Sequence, residues 1–182
     1  MKALIAYGTK YGSTARVAEE MGRVLAEKGA EITLMDLRRS DHHAMEDFDL
    51  IVVGSCINMH NWTKRARRFL MENSTALSKR NLAMFACCID IVLFPSKKEQ
   101  LEKEYVKDVA AEFGIDKVMS MRLFGGEVDL SRYGFFDATL AKSYIRNEKN
   151  EVRLQESKDR LNFQDWKEIR DWAASLAMMI LR

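Results

Sequence analysis

Short apolar segments alternate with amphipathic segments along the chain. The apolar segments span residues 2–7, 31–36, 49–54, 81–89 and 117–124, and they have the length and composition of strands. Between them, apolar residues recur at intervals of three and four, which is the spacing of the buried face of a helix. Strands that alternate with helices in this way are typical of a parallel sheet covered on both faces. The pattern therefore predicts an α/β fold.

The helices are predicted from the same periodicity and from local start signals. The first opens near Ser13, the second covers about residues 62–71, and the last begins near Asn162. A further helix is expected where Ser96 and Glu99 have the spacing of a capping box. The predicted helices thus alternate with the predicted strands, as a layered α/β fold requires.

Five strands in this order predict a doubly wound parallel sheet with the strand order 2-1-3-4-5. In such sheets a ligand binds at the carboxyl ends of the strands where the order reverses, here between the first and third strands. The loops at that point span residues 8–14 and 54–62, and the loop 88–96 lies beside them. We therefore expect one binding site formed by three loops.

The first of these loops has the chemistry of an anion cradle. Gly8 and Gly12 let the backbone curl so that its N–H groups point inward, and Thr9, Ser13 and Thr14 add hydroxyl donors. The start of the following helix adds a partial positive charge. These features predict a site for a phosphate monoester. The alternative is an ordinary strand–turn–helix connection in which Ser13 caps the helix.

Residues 9–14, which read TKYGST, resemble the T/S-x-T-G-x-T phosphate loop of flavodoxins. Two positions differ, because Tyr11 stands where a hydroxyl residue is usual and Ser13 stands where Asn is usual. The resemblance implies FMN as cofactor, with its phosphate in the first loop and its isoalloxazine ring between the other two. The cofactor-binding residues implied in this way are Thr9, Lys10, Tyr11, Gly12, Ser13, Thr14, Ser55, Cys56, Ile57, Asn58, Met59, Trp62, Cys88, Ile89 and Asp90.

Several side chains in the two ring loops have more than one interpretation. Met59 and Trp62 are candidates to stack on the flavin or to contact its edge, but Trp62 is equally suited to packing at the start of the second helix. His60 is a candidate proton donor, whereas a lone loop histidine is more often solvated. Cys87 and Cys88 are expected to pack at a strand end, and the alternative is a vicinal disulfide.

The composition limits the classes of function. The chain has 182 residues, of which 47% are hydrophobic, and this is enough for a single domain spanning residues 1–182. Its 29 basic and 27 acidic residues give a net charge of +2, which argues against a dedicated nucleic-acid binder. The near balance also departs from the flavodoxins that carry electrons, which are strongly acidic.

The cellular compartment is predicted from cysteine usage and from the apolar segments. Cys56, Cys87 and Cys88 lack the spacing of metal ligands, and the chain opens with a strand and not with a signal peptide. No apolar segment approaches the roughly 20 residues of a spanning helix. We therefore expect no metal, a cytoplasmic location and, at most, a peripheral contact with the membrane.

The second half of the chain resembles the branch of flavodoxin-like proteins that includes menaquinone-dependent protoporphyrinogen dehydrogenase. An F-x-G segment followed by an aromatic Y-x-x-F-D helix is found there, and Phe124, Gly126, Tyr133, Phe136 and Asp137 carry the match. This predicts an extra helical segment after the fifth strand. Its apolar side chains suit packing on the same chain, a homodimer contact, or docking of a membrane, a quinone or a hydrophobic substrate.

A basic run on the second helix is the other feature that has two interpretations. It consists of Lys64, Arg65, Arg67 and Arg68. Most such runs are solvated helix faces. Beside a flavin, they would also suit an anionic partner or the carboxylates of a substrate.

Three functions are compatible with these features. The first is an FMN oxidoreductase of the protoporphyrinogen dehydrogenase type, which passes six electrons from a porphyrinogen to quinone in three two-electron steps. In that branch the stretch after the fourth strand is basic, whereas residues 91–94 are apolar here. The second is a soluble flavodoxin that carries single electrons between redox partner proteins. The third is a regulatory protein that has lost the flavin. We expect a redox function, and no catalytic residue is assigned.

Overall fold

The computed structural model describes residues 1–39, 43–129, 131 and 160–180. The strands are β1 (Lys2–Gly8), β2 (Glu31–Asp36), β3 (Leu50–Asn58), β4 (Asn61–Trp62), β5 (Asn81–Cys88), β6 (Ser120–Gly125), β7 (Glu127–Asp129) and β8 (Arg160–Asn162). The helices are α1 (Ser13–Glu27), α2 (Lys64–Leu77), α3 (Asp90–Leu93), α4 (Lys98–Glu102), α5 (Asp108–Glu112) and α6 (Trp166–Ile180). A π-helical turn (Lys103–Lys107) joins α4 to α5, and 3₁₀ turns form at Met45–Asp47 and Pro95–Lys97.

The main sheet has five parallel strands in the order β2-β1-β3-β5-β6. This is the predicted order 2-1-3-4-5, and the fold class is therefore confirmed. There are two short antiparallel pairings besides, because β4 pairs with the end of β3, and β7 pairs with β8 in a separate two-stranded sheet. Of the predicted extra helical segment after the fifth strand, Tyr133, Phe136 and Asp137 lie outside the described residues.

The third strand is longer than expected and the second helix begins later. β3 continues to Asn58 because the chain folds back on itself, so that Ile57 pairs with Trp62 and Asn58 with Asn61. The expected start of the second helix is therefore part of this hairpin. Helix α2 opens only after Thr63, whose hydroxyl accepts a hydrogen bond from the backbone N–H of Ala66.

The starts of two other helices also differ from the prediction. Ser96 lies in a 3₁₀ turn and α4 has no side-chain cap, so the predicted capping box with Glu99 does not form. The last helix is capped by Asp165, which accepts hydrogen bonds from the backbone N–H groups of Lys167 and Glu168 at 2.9 and 3.0 Å. It therefore begins at Trp166 and not near residue 162.

The core consists of two apolar layers, one on each face of the main sheet. One layer packs α1 and α6 on the sheet, and the other packs α2 and the helical stretch 98–112. In the first layer, the rings of Phe85, Phe124 and Trp172 contact one another with centroids 5.6 to 6.2 Å apart. The Trp172 indole N–H donates to the hydroxyl of Ser120 at 2.8 Å, so its polar atom is satisfied. Together the two layers cover both faces of the sheet and hold it in place.

Gly8 ends β1 at a point where two elements approach closely. A Cβ at this position would lie 2.1 Å from Thr63 Oγ1 and 3.0 Å from the Ala66 Cβ. The backbone of Gly8 is not left-handed, so the expectation that it curls the loop is wrong. The absence of a side chain instead allows the first turn of α2 to pack on the end of β1.

Replacing Gly8 by Ala should therefore destabilise the fold. We expect a loss of about 1–3 kcal/mol in the free energy of unfolding, the usual cost of overpacking, measured by urea denaturation. In the Thr63→Ala background the cost of Gly8→Ala should be smaller, because the closest contact is gone. An equal cost in both backgrounds would mean that Thr63 is not the obstacle.

Candidate functional site

A cavity of about 110 Å³ lies at the carboxyl ends of the central strands. Its walls come from four segments: residues 9–11 and 13, residues 56–58, residues 87–89 and residues 126–128. The first three are the loops that the topology predicted. The fourth, which opens strand β7, was not anticipated. Parallel pairing brings these segments together, since Gly8 pairs with Ser55 and Cys56 pairs with Cys87.

The residues implied as cofactor ligands divide into two groups. Those that line the cavity are Thr9, Lys10, Tyr11, Ser13, Cys56, Ile57, Asn58, Cys88 and Ile89. Those that are not part of the lining are Gly12, Thr14, Ser55, Met59, Trp62 and Asp90.

The first loop ends in a helix start without a side-chain cap. Gly12 is left-handed, with φ of 95°, and it occupies the N-cap position of the 15-residue helix α1. Its N–H donates to the hydroxyl of Thr9 at 3.0 Å, which closes the loop. Ser13 is the first helical residue, so the alternative in which it caps the helix is wrong. The helix therefore starts beside the cavity, which Ser13 lines, and no side chain caps its first N–H groups or the positive end of its dipole.

Thr14 places a buried hydroxyl under this loop. The side chain is fully buried, and its Oγ1 atom has no hydrogen-bond partner within the described residues. The thiols of Cys56 and Cys87 lie near enough for Thr14 to lower their pKa slightly, but sulfur is a weak acceptor. A buried donor without a strong partner is costly unless a ligand satisfies it. The site therefore fits a phosphate or another anion.

Gln164 supports the loop from the far end of the chain. It is buried, and its side-chain Nε2 donates to the backbone carbonyl of Ser13 at 3.1 Å. Its own backbone N–H donates to the Asn162 side chain at 2.9 Å, which fixes the turn before α6. Sequence reasoning missed this residue because a single glutamine before a helix carries no local signal. Only the tertiary fold brings it to the first loop.

Glu127 brings a carboxylate to the cavity, and it too was missed. Its side chain is only 7% exposed and forms an ion pair with Arg16, in the first turn of α1. A buried carboxylate beside an anion site would repel the ligand unless a cation neutralises it. Because Arg16 is paired with Glu127, Lys10, whose ammonium donates to Asn58 Oδ1 at 3.4 Å, is the cation that the first loop itself brings to an anion, beside its neutral donors.

The second loop is the hairpin formed by β3 and β4. Its two turn residues, Met59 and His60, are left-handed, with φ of 50° and 61°. Met59 is 75% exposed, whereas Ser55 is fully buried and accepts a hydrogen bond from the backbone N–H of Thr63 at 3.0 Å. Trp62 is buried in the core, and its indole N–H donates to the backbone carbonyl of Tyr105. The structure thus places Trp62 as a packing residue and leaves Met59 at the tip of the loop.

The third loop carries a buried carboxylate. Asp90 is 5% exposed and accepts a hydrogen bond from the Tyr105 hydroxyl at 2.6 Å. The same hydroxyl lies 2.7 Å from Nδ1 of His60. Burial and the Asp90 carboxylate raise the pKa of Tyr105 well above its ordinary value. By its spacing Tyr105 belongs to the apolar face of the helix predicted after Ser96, so the sequence pattern carries no indication of its polar contacts.

All three thiols are free, and the expectation that Cys87 and Cys88 pack at a strand end agrees with their burial. Consecutive strand residues point to opposite faces, and these two belong to different core layers. The vicinal disulfide is therefore absent. Burial raises the pKa of Cys88 to about 12 and raises the pKa of Cys87 further.

The three arginines of the basic run on α2 make contacts within the protein, two of them to other elements and one along α2 itself. Arg65 donates to the backbone carbonyl of Arg38, Arg67 pairs with Glu112, and Arg68 pairs with Glu72 at 2.7 Å. Exposed pairs of this kind contribute little to stability. The contacts favour the interpretation of a solvated helix face.

The part of the chain that the structure describes contains no group of three or more His, Cys, Asp or Glu side chains arranged to hold a metal ion. Nor does any of the described helices have both the length and the apolar character needed to cross a membrane.

A comparison with protein families finds that residues 4–154 match the family model described as flavodoxin domain. Among curated proteins, protoporphyrinogen IX dehydrogenase [quinone] from Escherichia coli is 20% identical over 179 residues. The alignment covers 97% of this chain and 95% of that protein.

Solved structures with the same fold include a flavodoxin from the domain Archaea, with a TM-score of 0.56 and 13% identity over 100% of both chains. Rubredoxin oxygen:oxidoreductase from Desulfovibrio gigas has a TM-score of 0.56 and 11% identity, and the match covers 99% of this chain and 36% of that one. These likenesses concern the fold alone.

The raised thiol pKa values predict low cysteine reactivity in the folded protein. With a pKa of about 12, the thiolate fraction of Cys88 at pH 8 is on the order of 10⁻⁴. A disulfide reagent should therefore react slowly with the native protein. After unfolding in guanidinium, the reagent should react readily with all three thiols. A Met59→Cys variant, with the new thiol on the exposed hairpin tip, is the positive control. Fast stoichiometric reaction of the native wild-type chain would contradict the burial of these thiols.

Proposed function

Because the chain belongs to the flavodoxin domain family, we propose that it is an FMN-dependent oxidoreductase that passes electrons from a porphyrinogen to a quinone. The broader function is that of an FMN-binding, flavodoxin-like redox protein. The finer proposal rests on the curated relative that spans nearly the full length of both chains. It is supported by the surface beside the cofactor site.

The site fits the phosphate end of FMN. The first turn of α1 offers backbone N–H groups, and the Thr14 hydroxyl is a buried donor without a partner among the described residues. The cavity of about 110 Å³ is smaller than the roughly 300–1,000 Å³ of sites that enclose a whole ligand. It therefore takes one end of the cofactor and leaves the ring to the loops above it.

Under this proposal, the residues of the three loops bind different parts of FMN. Thr9, Ser13 and Thr14 bind the phosphate, with Gly12 giving the loop its shape. Residues 56–58 and 88–89 form the two walls of the ring site. When bound, FMN supplies the transfer of one or two electrons, and the protein supplies binding, orientation and exclusion of water.

The surface next to the ring walls suits an apolar substrate that carries carboxylates. Met59, on the second loop, is 75% exposed, and Phe94, on the third loop, is 43% exposed. The Lys97 ammonium lies 5.4 Å from the centre of the Phe94 ring. A porphyrinogen combines an apolar macrocycle with carboxylate side chains. In each two-electron step it would lose two hydrogen atoms, and a quinone would become the quinol.

The activity can be tested directly under anaerobic conditions, which suppress spontaneous oxidation. We expect the FMN-loaded protein to convert protoporphyrinogen IX to the fluorescent porphyrin when a soluble menaquinone analogue is present, with three quinones consumed per porphyrin. The same chain stripped of FMN is the control. Porphyrin formation no faster than this control would refute the proposal. If the bound FMN is reduced by single electrons and neither the porphyrinogen nor the quinone is turned over, the result would favour the one-electron carrier.

The phosphate site predicts a specific effect of Thr14. A Thr14→Val variant keeps the volume and removes the hydroxyl, so FMN binding should weaken by about 1–2 kcal/mol, or roughly five- to thirtyfold in Kd. Thr14→Ser retains the hydroxyl and should bind nearly as well as the wild type. Both values are measurable by the change in flavin fluorescence on titration. If the two variants bind equally well, the phosphate does not contact this hydroxyl.

A further inference from the structure

We propose that Asp90, Tyr105 and His60 form a hydrogen-bonded clamp that fixes the β3–β4 hairpin beside the FMN site. The three are positioning residues, because they act on the cofactor through the walls of its site. The inference rests on the FMN site proposed above but not on the identity of the substrate.

The hairpin needs an external support. A two-residue turn of this kind requires left-handed backbone at both central positions, and Asn or Gly usually occupies them. Here the turn residues are Met59 and His60, with φ of 50° and 61°. A left-handed backbone is unfavourable for residues with side chains of this size. Contacts from outside the hairpin must therefore hold the turn.

Tyr105 supplies those contacts on both sides of the turn. Its hydroxyl lies 2.7 Å from His60 Nδ1, and its backbone carbonyl accepts the indole N–H of Trp62. Its hydroxyl also donates to Asp90 Oδ2 at 2.6 Å. Tyr105 is 2% exposed and Asp90 is 5% exposed, so water competes little for these bonds. One residue thus joins the second loop to the third.

The local helix geometry is unusual at this residue. Tyr105 lies in the π-helical turn Lys103–Lys107, which interrupts an otherwise α-helical stretch. Such turns are rare and occur frequently at functional sites. The wider turn presents both the side chain and the carbonyl of Tyr105 to the hairpin.

The donors of the clamp can be assigned from the number of protons available. Tyr105 has one hydroxyl proton, and it is directed to Asp90. Burial and the Asp90 carboxylate raise the pKa of Tyr105, so the hydroxyl keeps this proton. His60 Nδ1 must therefore carry a hydrogen and donate it to the tyrosine oxygen.

The clamp joins the two walls of the ring site. Residues 56–58 precede the turn on strand β3, and residues 88–89 precede Asp90 on the neighbouring loop. The β3–β5 pairing sets the spacing of the walls at Cys56 and Cys87, and the link between His60 and Asp90 extends that constraint beyond the ends of the strands. Loss of the clamp should weaken FMN binding without removing any residue of the cavity lining.

Three variants separate the hydrogen bond from the strain of the turn. Tyr105→Phe removes the hydroxyl that makes both bonds. His60→Gly removes the donor and relieves the strain, whereas His60→Asn relieves the strain and keeps a side-chain N–H donor. Ser120→Ala is the matched control, because it removes the acceptor of a buried Trp172 hydrogen bond in the other core layer.

Two measurements on the full chain without FMN report the clamp directly. Amide hydrogen exchange of residues 57–62 should become faster in Tyr105→Phe and His60→Gly, and it should stay near the wild-type rate in His60→Asn and Ser120→Ala. Nitrogen NMR of the wild type should find the His60 hydrogen on Nδ1, and this preference should be lost in Tyr105→Phe. In a titration, the two clamp-breaking variants should bind FMN roughly fivefold to tenfold more weakly.

The outcomes that overturn the proposal are distinct from failure of the porphyrinogen assay. Unchanged exchange in His60→Gly would show that the bond does not hold the hairpin, even if Tyr105→Phe fails to fold. Faster exchange with an unchanged Kd for FMN would show that the hairpin does not position the cofactor. If FMN binding weakens equally in Ser120→Ala, the weakening in the clamp variants would reflect general destabilisation of the fold and not loss of the clamp.

Discussion

Parallel pairing of β3 with β1 on one side and β5 on the other is the constraint on which the site depends. It aligns Gly8 with Ser55 and Cys56 with Cys87, so the three loops leave the sheet at the same edge. The first turn of α2 then packs on Gly8, where a side chain would collide with Thr63. The loops are close to one another because the strands below them permit no other arrangement. Cofactor binding therefore depends on the register of the sheet as much as on the loop residues.

The charge arrangement at this edge favours recognition by hydrogen bonds. Arg16 stands in the first turn of α1, where it would suit a phosphate, yet it pairs with the buried carboxylate of Glu127. The first loop still offers an anion the positive end of the helix dipole, the backbone N–H groups and the Thr14 hydroxyl. Neutral donors of fixed position discriminate by geometry and are weakened less by salt than exposed charges are. Gln164 contributes to that geometry by holding the carbonyl of Ser13.

Features encoded by neighbouring residues could be predicted from the sequence. The apolar strands predicted the sheet order, and the Gly and hydroxyl residues of 9–14 predicted the anion loop. The hairpin at Met59 and His60 was missed because neither residue is typical of a turn with left-handed backbone. Glu127 and Gln164 were missed because they reach the site only through long-range packing. Tyr105 was hidden because its spacing marks an apolar helix face, while its hydroxyl and carbonyl make polar contacts.

The distinction between an enzyme and an electron carrier lies in what surrounds the cofactor ring. A carrier needs only an accessible ring edge, whereas a dehydrogenase must also bind a substrate against it. Under the proposed function, the exposed side chains of Met59 and Phe94 and the ammonium of Lys97 would form such a surface, because apolar area beside a cation suits a carboxylated macrocycle. Met59 stands on the turn that Tyr105 holds through His60. Under the proposed function, the clamp would thus position Met59, which faces the substrate, as well as a wall of the cofactor site. The buried hydroxyl of Tyr105 would then couple substrate binding to cofactor binding.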